Sequence, residues 1–378
     1  MNLNLTDEQK DIRNAAREFA EKEFPDIAVQ CDSNEEYPFE LWKKACDLGF
    51  IGLSIPETFG GAGLGLLEHA FVMEEFSRVD AGCSSILLAA EGAALIQEYG
   101  TEEQKKRYLP PLLAGKNIIG CAIGPDGKGT AADRFSAHAE QDGLGYIING
   151  TKNCIANATI AENIVVSCCI KPGDEHGNRF FMIETTAPGC KITRMQNKFG
   201  RRAADIAHVQ FNNVRVPQEN LIGGKEGKPG NQPMQFENRT RVVSAAHNVG
   251  IAQGAMEKAI YYARSRKAFG SPIGLFHAIQ IKLGEMATFI EAARKLYYSA
   301  AWMYDQGKPD SKRAAAAGWF ASKVDLTVVD QALQIHGGYG YIKESDIERI
   351  YRDGTVAATL SGTNDMEKMS VAHHLLGL

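Results

Sequence analysis

The apolar periodicity of this chain changes twice along its length, and those two changes confine it to three successive parts. Thr6-Asp7-Glu8-Gln9 fits a capping box, with Thr6 as the N-cap and Gln9 three residues on. Helical patterning follows to about Glu23, and residues 37–55 read as another helix running into an apolar stretch. The Gly-rich turn Gly60-Gly61-Ala62-Gly63 closes it, and more helix continues to about residue 114. Near Ile118 the period shortens. Tyr146-Ile147-Ile148, Ile164-Val165-Val166, Phe180-Phe181-Met182-Ile183 and Val209-Gln210-Phe211 read as strands. Asp142-Gly143, Asn149-Gly150, Pro172-Gly173 and Asn212-Asn213 read as the turns between them.

The second change follows Gly223 to Pro233, a stretch with four glycines and two prolines that suits a linker. Helix then returns: Ile279, Leu283, Met286, Ile290, Ala293 and Leu296 step by threes and fours along one face. The pattern predicts a multidomain α+β protein. It places an N-terminal helical domain over 1–117, a middle antiparallel β domain over 118–224 and a C-terminal four-helix bundle over 234–378. A chain of 378 residues is long enough for several cores.

Composition narrows the function classes. A balance of 41 basic against 46 acidic residues gives a net charge of -5, which favours neither nucleic acid nor an acidic membrane surface. The eight cysteines include no CxxC pair, so neither a metal site nor a disulfide framework is expected. The N-terminus lacks a basic and then apolar leader, and no run reaches the length of a membrane span. A cytoplasmic location is the expectation.

Arg266-Lys267-Ala268-Phe269-Gly270, Gln334-Ile335-His336-Gly337-Gly338 and Leu360-Ser361-Gly362-Thr363-Asn364 together resemble segments of the acyl-CoA dehydrogenase family, and the resemblance extends from Leu5-Thr6 to Leu376. Arg266-Lys267-Ala268-Phe269-Gly270, followed by Gln280, resembles the segment that holds the FAD pyrophosphate of a neighbouring subunit; a guanidinium suits phosphate oxygens. Gln334-Ile335-His336-Gly337-Gly338 is similar to the turn contacting the adenine side of FAD across a dimer. Thr363 and Asn364 sit where the family contacts FAD again. The resemblance therefore implies FAD as cofactor and an acyl-CoA or enoyl-CoA thioester as substrate. It also implies a homo-oligomer arranged as a dimer of dimers, or a hetero-oligomer with a homologous subunit. Electron-transferring flavoprotein would be the redox partner if the chain turns over.

The departures from the family pattern are as informative. Tyr351-Arg352-Asp353 leads to Leu360-Ser361-Gly362-Thr363-Asn364, where the family's commonest form carries a Glu-Gly-Thr turn. Ser361 thus stands where the usual catalytic glutamate would be. A subset of the family keeps its glutamate just before the arginine matched by Arg241, a substrate-side position; here that residue is Thr240. On the flavin-ring side, Ile123, Cys154 and Ala156 replace residues that carry hydroxyls or a shielding tryptophan. Glu91, in an apolar run on the helix that lines the family's acyl cavity, is the leading substitute acid/base or substrate contact; Asp126 and Asp365 are weaker candidates. Two readings stay open. One is an oxidoreductase of CoA thioesters with altered chemistry, working as a dehydrogenase, as a reductase or in a variant lyase reaction. The other is a non-catalytic partner subunit supplying the ADP-side contacts of a shared FAD.

Overall fold

The computed structural model of the chain describes residues 5–123, 137–143, 145–170, 177–224, 232–357 and 364–377. Six helices build the N-terminal part: α1 (Asp7–Glu23), α2 (Pro25–Asn34), α3 (Phe39–Asp47), α4 (Leu66–Val79), α5 (Ala89–Tyr99) and α6 (Glu102–Leu113). The Thr6–Gln9 capping box forms with reciprocal bonds of 3.0 and 3.2 Å. The helix expected over 37–55 stops at Asp47, because Gly49 turns left-handed (φ 80°) and the apolar stretch beyond it folds into short 3-10 turns.

Among the described residues the middle part is a sheet of seven strands: β1 (Ile119–Ala122), β2 (His138–Asp142), β3 (Gly145–Ala156), β4 (Asn163–Cys169), β5 (Asn178–Glu184), β6 (Cys190–Arg194) and β7 (Ile206–Pro217). It is mostly antiparallel. β1, however, runs parallel to β4, which the long β2–β3 excursion between them permits. Two expected turns are instead irregularities inside long strands. Asn149-Gly150 lies within β3 and Asn212-Asn213 within β7, and they face each other. The Asn213 backbone N–H donates to the Asn149 side chain at 2.8 Å, where the β3–β7 register shifts. Asn-rich pairs satisfy a bulge by the same local hydrogen bonding that they offer a turn, so the two look alike in sequence.

The C-terminal part holds three long helices, α7 (Gln232–Ser265), α8 (His277–Asp305) and α9 (Ser311–His336), with the shorter α10 (Ile347–Thr355) and α11 (Asn364–Leu376) against them. Among the described residues the bundle expected from periodicity is three long helices with two short ones against them. One apolar core runs through both helical parts, while the outer layer of the sheet has its own. α7 lies hard against α4 because Gly250 and Gly254 present no side chain there. A Cβ at Gly254 would fall 2.0 Å from the Arg78 carbonyl oxygen, and one at Gly250 2.3 Å from that of Glu74. No helix among the described residues is long and apolar enough to cross a membrane.

Candidate active site

Two separate surfaces emerge from the sequence-predicted residues. The first gathers the residues expected on the ADP side of the cofactor. A two-stranded hairpin (Lys267–Ala268 with Ser271–Pro272) carries Phe269 and Gly270 at its tip, with φ of 51° and 83°. Two left-handed central residues make the tight hairpin turn that matches strand twist, and they push Phe269 outward, 98% exposed. Arg266 precedes this hairpin, and its guanidinium lies 5.5 Å from the Tyr339 ring centre. The chain thus brings the Arg266 segment and the glycine turn, some seventy residues apart, onto one face.

Gly337 ends α9 with φ 56°, its N–H bonded to the Gln334 carbonyl, and added Cβ atoms at Gly337 or Gly338 would meet nothing within 4 Å. Gln334 is exposed on the last turn of α9. Gln280 donates to the Gly274 carbonyl at 3.1 Å and so pins the hairpin to α8. An arginine held on an aromatic face with no carboxylate paired to it among the described residues, open backbone at two glycines and an exposed aromatic ring fit a dinucleotide's phosphates and base.

The second surface holds the residues expected on the ring side. Cys121 on β1 is the register partner of Ala156 on β3, and Ile123 follows directly, its carbonyl accepting from Ser167 Oγ at 3.1 Å. The register of β3 shifts between Lys152 and Ile155, and the exposed Cys154 sits in that irregularity with φ 56°. Burial pushes the Cys154 thiol up, so it is not a ready thiolate. Asn157, next along, is buried, and both its amide atoms lack a hydrogen-bond partner among the described residues. None of the three side chains at 123, 154 and 156 offers a hydroxyl.

Between the helical parts lies the cluster around Glu91. Its carboxylate is buried, 3.4 Å from His69 Nε2 on α4 and 3.5 Å from Arg239 Nε on α7. Burial, the largest single influence, would push the Glu91 carboxyl up, but the Arg239 guanidinium and His69 together outweigh it and hold the group below the usual carboxylate range. Burial lowers His69 and keeps it neutral at physiological pH. Nearby, Tyr304 donates to Glu98 at 2.8 Å, and burial raises that carboxyl. Sequence reasoning did not single out His69 or Arg239. His69 lies in no motif and Arg239 only begins the segment that carries Arg241; the packing of α4, α5 and α7 brings them to Glu91.

Arg241 is fully engaged. Its Nε lies 2.8 Å from Glu367 Oε2, one Nη donates to Glu237 at 3.1 Å and the other to Asn238 at 3.2 Å. It therefore ties the start of α7 to α11. Asn364, at the head of α11, accepts from Ser322 Oγ at 2.8 Å. Asp365 is exposed and paired with Lys368 at 3.0 Å. Ser361, Thr363 and Asp126 lie outside the described residues, as does the Gly127-Lys128-Gly129-Thr130 segment.

Beneath this region, Asp353 accepts from the Arg201 backbone N–H, and burial raises its carboxyl to about 7. Arg201 also sits near Asp325, whose buried carboxylate oxygens have no hydrogen-bond partner among the described residues.

Comparison with known proteins agrees with this arrangement part by part. The acyl-CoA dehydrogenase N-terminal, middle and C-terminal domain models match residues 6–116, 121–214 and 231–376. The chain is 36% identical over 377 residues to the 3-(aryl)acrylate reductase of Clostridium sporogenes, covering 98% of this chain and 99% of that one. It is 35% identical over 381 residues to a subunit of the caffeyl-CoA reductase–Etf complex of Acetobacterium woodii, covering 98% and 99%. The butyryl-CoA dehydrogenase structure from Megasphaera elsdenii superposes with a TM-score of 0.93 at 33% identity, covering all of both chains. The protein belongs to the acyl-CoA dehydrogenase family of FAD-dependent oxidoreductases.

Proposed function

We propose that this chain reduces the α,β double bond of an enoyl-CoA thioester, with Ser361 in the position of the family's usual base. The observation that carries the reading is the state of Glu91. The leading carboxylate substitute is buried against Arg239 at 3.5 Å and holds its proton less tightly than an ordinary glutamate. Removing an α-proton requires a base near its working pKa, and a carboxylate stabilised by a guanidinium is a weaker one. Reduction asks for the opposite, delivery of a proton to the α-carbon, which solvent can supply through a hydroxyl such as that of Ser361.

When bound, FAD supplies the two-electron chemistry, exchanging a hydride with the thioester β-carbon. The chain's own part is to position. Arg266, Phe269, Gln280, Gln334, Gly337 and Gly338 would hold the ADP portion of a neighbouring subunit's FAD. Ile123, Cys154 and Ala156 would face the ring, with Thr363 and Asn364 adding contacts. That arrangement requires a homo-oligomer, a dimer of dimers being the expectation. The C. sporogenes relative named as a reductase and the A. woodii relative named as part of an Etf complex support the reductive direction and electron-transferring flavoprotein as electron source.

A second reading is favoured by one contrast. The ADP-side face around Arg266 and Tyr339 is well built, whereas the ring side offers no hydroxyl at 123, 154 or 156. A helper subunit completing a homologue's FAD site would have that pattern. The visible spectrum of the chain purified alone separates the two. Stoichiometric flavin perturbed by an enoyl-CoA supports the reductase, and a colourless chain that takes up flavin only with a homologous subunit supports the helper.

A further inference from the structure

A cavity of about 650 Å³ opens where the end of α4 meets the second half of α7, and its size suits a small molecule. It borders the face expected to hold the ADP portion, since Tyr339 lines it, but Arg266, Phe269, Gly337 and Gly338 do not. One side of it is aromatic. Tyr262 stacks on His336 with ring centres 4.5 Å apart and stands 6.3 Å from Tyr339, and Tyr261 beside them is 77% exposed. Val79 and Ile342 add apolar surface.

Both cations in the lining are already committed. Lys258 Nζ lies 3.2 Å from Asp346, and Arg78 is paired with Glu257 at 2.7 Å, with Glu75 at 3.0 Å and with Glu21. His336 donates from Nδ1 to the Ala332 carbonyl at 2.8 Å, and burial holds it below the usual imidazole range, so it stays neutral at physiological pH. Of the two carboxylates in the lining, Glu257 is engaged and Glu344 is not: it is exposed and has no ion-pair partner among the described residues. The cavity therefore offers ring faces and one unmatched negative charge. A ring face is the negative end of the aromatic quadrupole, and Tyr339 shows the consequence by holding the Arg266 guanidinium 5.5 Å from its centre.

We propose that this cavity binds a small quaternary ammonium compound, with the alkylated nitrogen against the Tyr261 and Tyr262 rings and Glu344 balancing its charge. An anion would meet no free cation in the lining. A primary ammonium brings three N–H donors that need acceptors, which ring faces supply poorly. An alkylated nitrogen needs none, and its methyl groups can bury against Val79 and Ile342. None of these residues is assigned to the thioester or to FAD, so the inference stands apart from the reductase reading.

The test is calorimetric titration of the FAD-loaded protein with choline and with the uncharged alcohol in which carbon replaces the nitrogen of choline. Both titrations are run at an ionic strength of about 0.15 M, which screens the chain's general attraction for cations. Choline should bind about tenfold tighter or more. Glu344→Gln and Tyr261→Leu, both at exposed positions, should each weaken choline and leave the flavin content unchanged. The double variant Tyr261→Leu/Glu344→Gln should bring choline down to the level of the alcohol, while the flavin spectrum keeps its response to an enoyl-CoA. Equal affinities of the wild type for the two compounds, or no binding of either, would overturn the inference. A choline preference that survives in the double variant would overturn its assignment to this cavity.

Discussion

Arg239 Nε stands 3.5 Å from Glu91 Oε2, and both side chains are buried. The pair crosses from α7 to α5, so it links the C-terminal helices to the N-terminal ones as well as setting the charge of the carboxylate. A glutamate in an apolar run would ordinarily be raised toward neutrality by burial and made a better base. Here the guanidinium and His69 together reverse that outcome, and Glu91 serves better as a fixed charge than as a proton acceptor.

Breaking the pair from one side should be severe. Glu91→Ala leaves a buried, uncompensated guanidinium, and a loss of about 3–5 kcal/mol in stability is expected from the behaviour of such pairs. The sign with pH follows from the lowered carboxyl. Its ordinary value is 4.5, and the folded state holds it lower. The stabilisation is therefore fully present above 4.5 and is lost as pH falls through the folded value. Thermal midpoints of the wild type and Glu91→Gln across pH 3.5 to 7.5 check this, and the two curves should converge on the acid side.

Asp353 should work in the other direction. Burial, reinforced by the charge of Asp80, raises its carboxyl from 3.8 to about 7. The folded state then keeps a proton that the unfolded chain releases, so this contribution is present below 3.8 and is lost as pH rises from 3.8 through about 7. Asp353→Asn keeps an acceptor for the Arg201 N–H and removes the titration. Its melting temperature should fall less than that of the wild type between pH 4 and pH 8.

Loss of Arg266 should be felt in cofactor binding before it is felt in the fold. The side chain is exposed and stacked on Tyr339, so Arg266→Ala should leave the helical circular dichroism intact. A charged hydrogen bond to phosphate contributes about 1.5–3 kcal/mol, which corresponds to FAD binding weakened roughly tenfold to a hundredfold. Arg266→Lys should recover only part of it, because an ammonium lacks the planar fork. Fluorescence titration of the apoprotein with FAD provides the measurement.

Restoring the family's glutamate offers a gain-of-function check. Ser361→Glu supplies the carboxylate that α-proton removal needs, and acyl-CoA oxidation with an artificial electron acceptor should rise by about 10²–10⁴-fold over the wild type. No increase, with flavin still bound, would count against the assignment of position 361.

The three-part organisation was legible because it is written in periodicity. The α8 positions from Ile279 to Leu296 and the strand runs through Val165 and Phe181 repeat at helix and strand spacing. The Arg266 and Gly337-Gly338 segments were legible as motifs, and the structure adds their juxtaposition through Tyr339. What the sequence hid depends on long-range packing. Arg239 differs from the seventeen other arginines in the partner that packing brings to it, Glu91 on α5. The engagement of Arg241 by Glu367 depends on where α11 docks, whereas Glu237 is its neighbour one turn earlier on α7. Asn149-Gly150 misled for a local reason, since a bulge and a turn use the same side-chain chemistry.

The most direct test of the account is anaerobic. The purified protein is photoreduced, and a stoichiometric enoyl-CoA is added while the flavin band near 450 nm is followed, on the order of seconds being ample for a competent enzyme. The account predicts that the oxidised flavin band returns with formation of one saturated thioester per flavin, and that saturated acyl-CoA bleaches the oxidised protein far more slowly. A reduced flavin that stays reduced in the presence of every enoyl-CoA tried, or fast bleaching by saturated acyl-CoA, would contradict it.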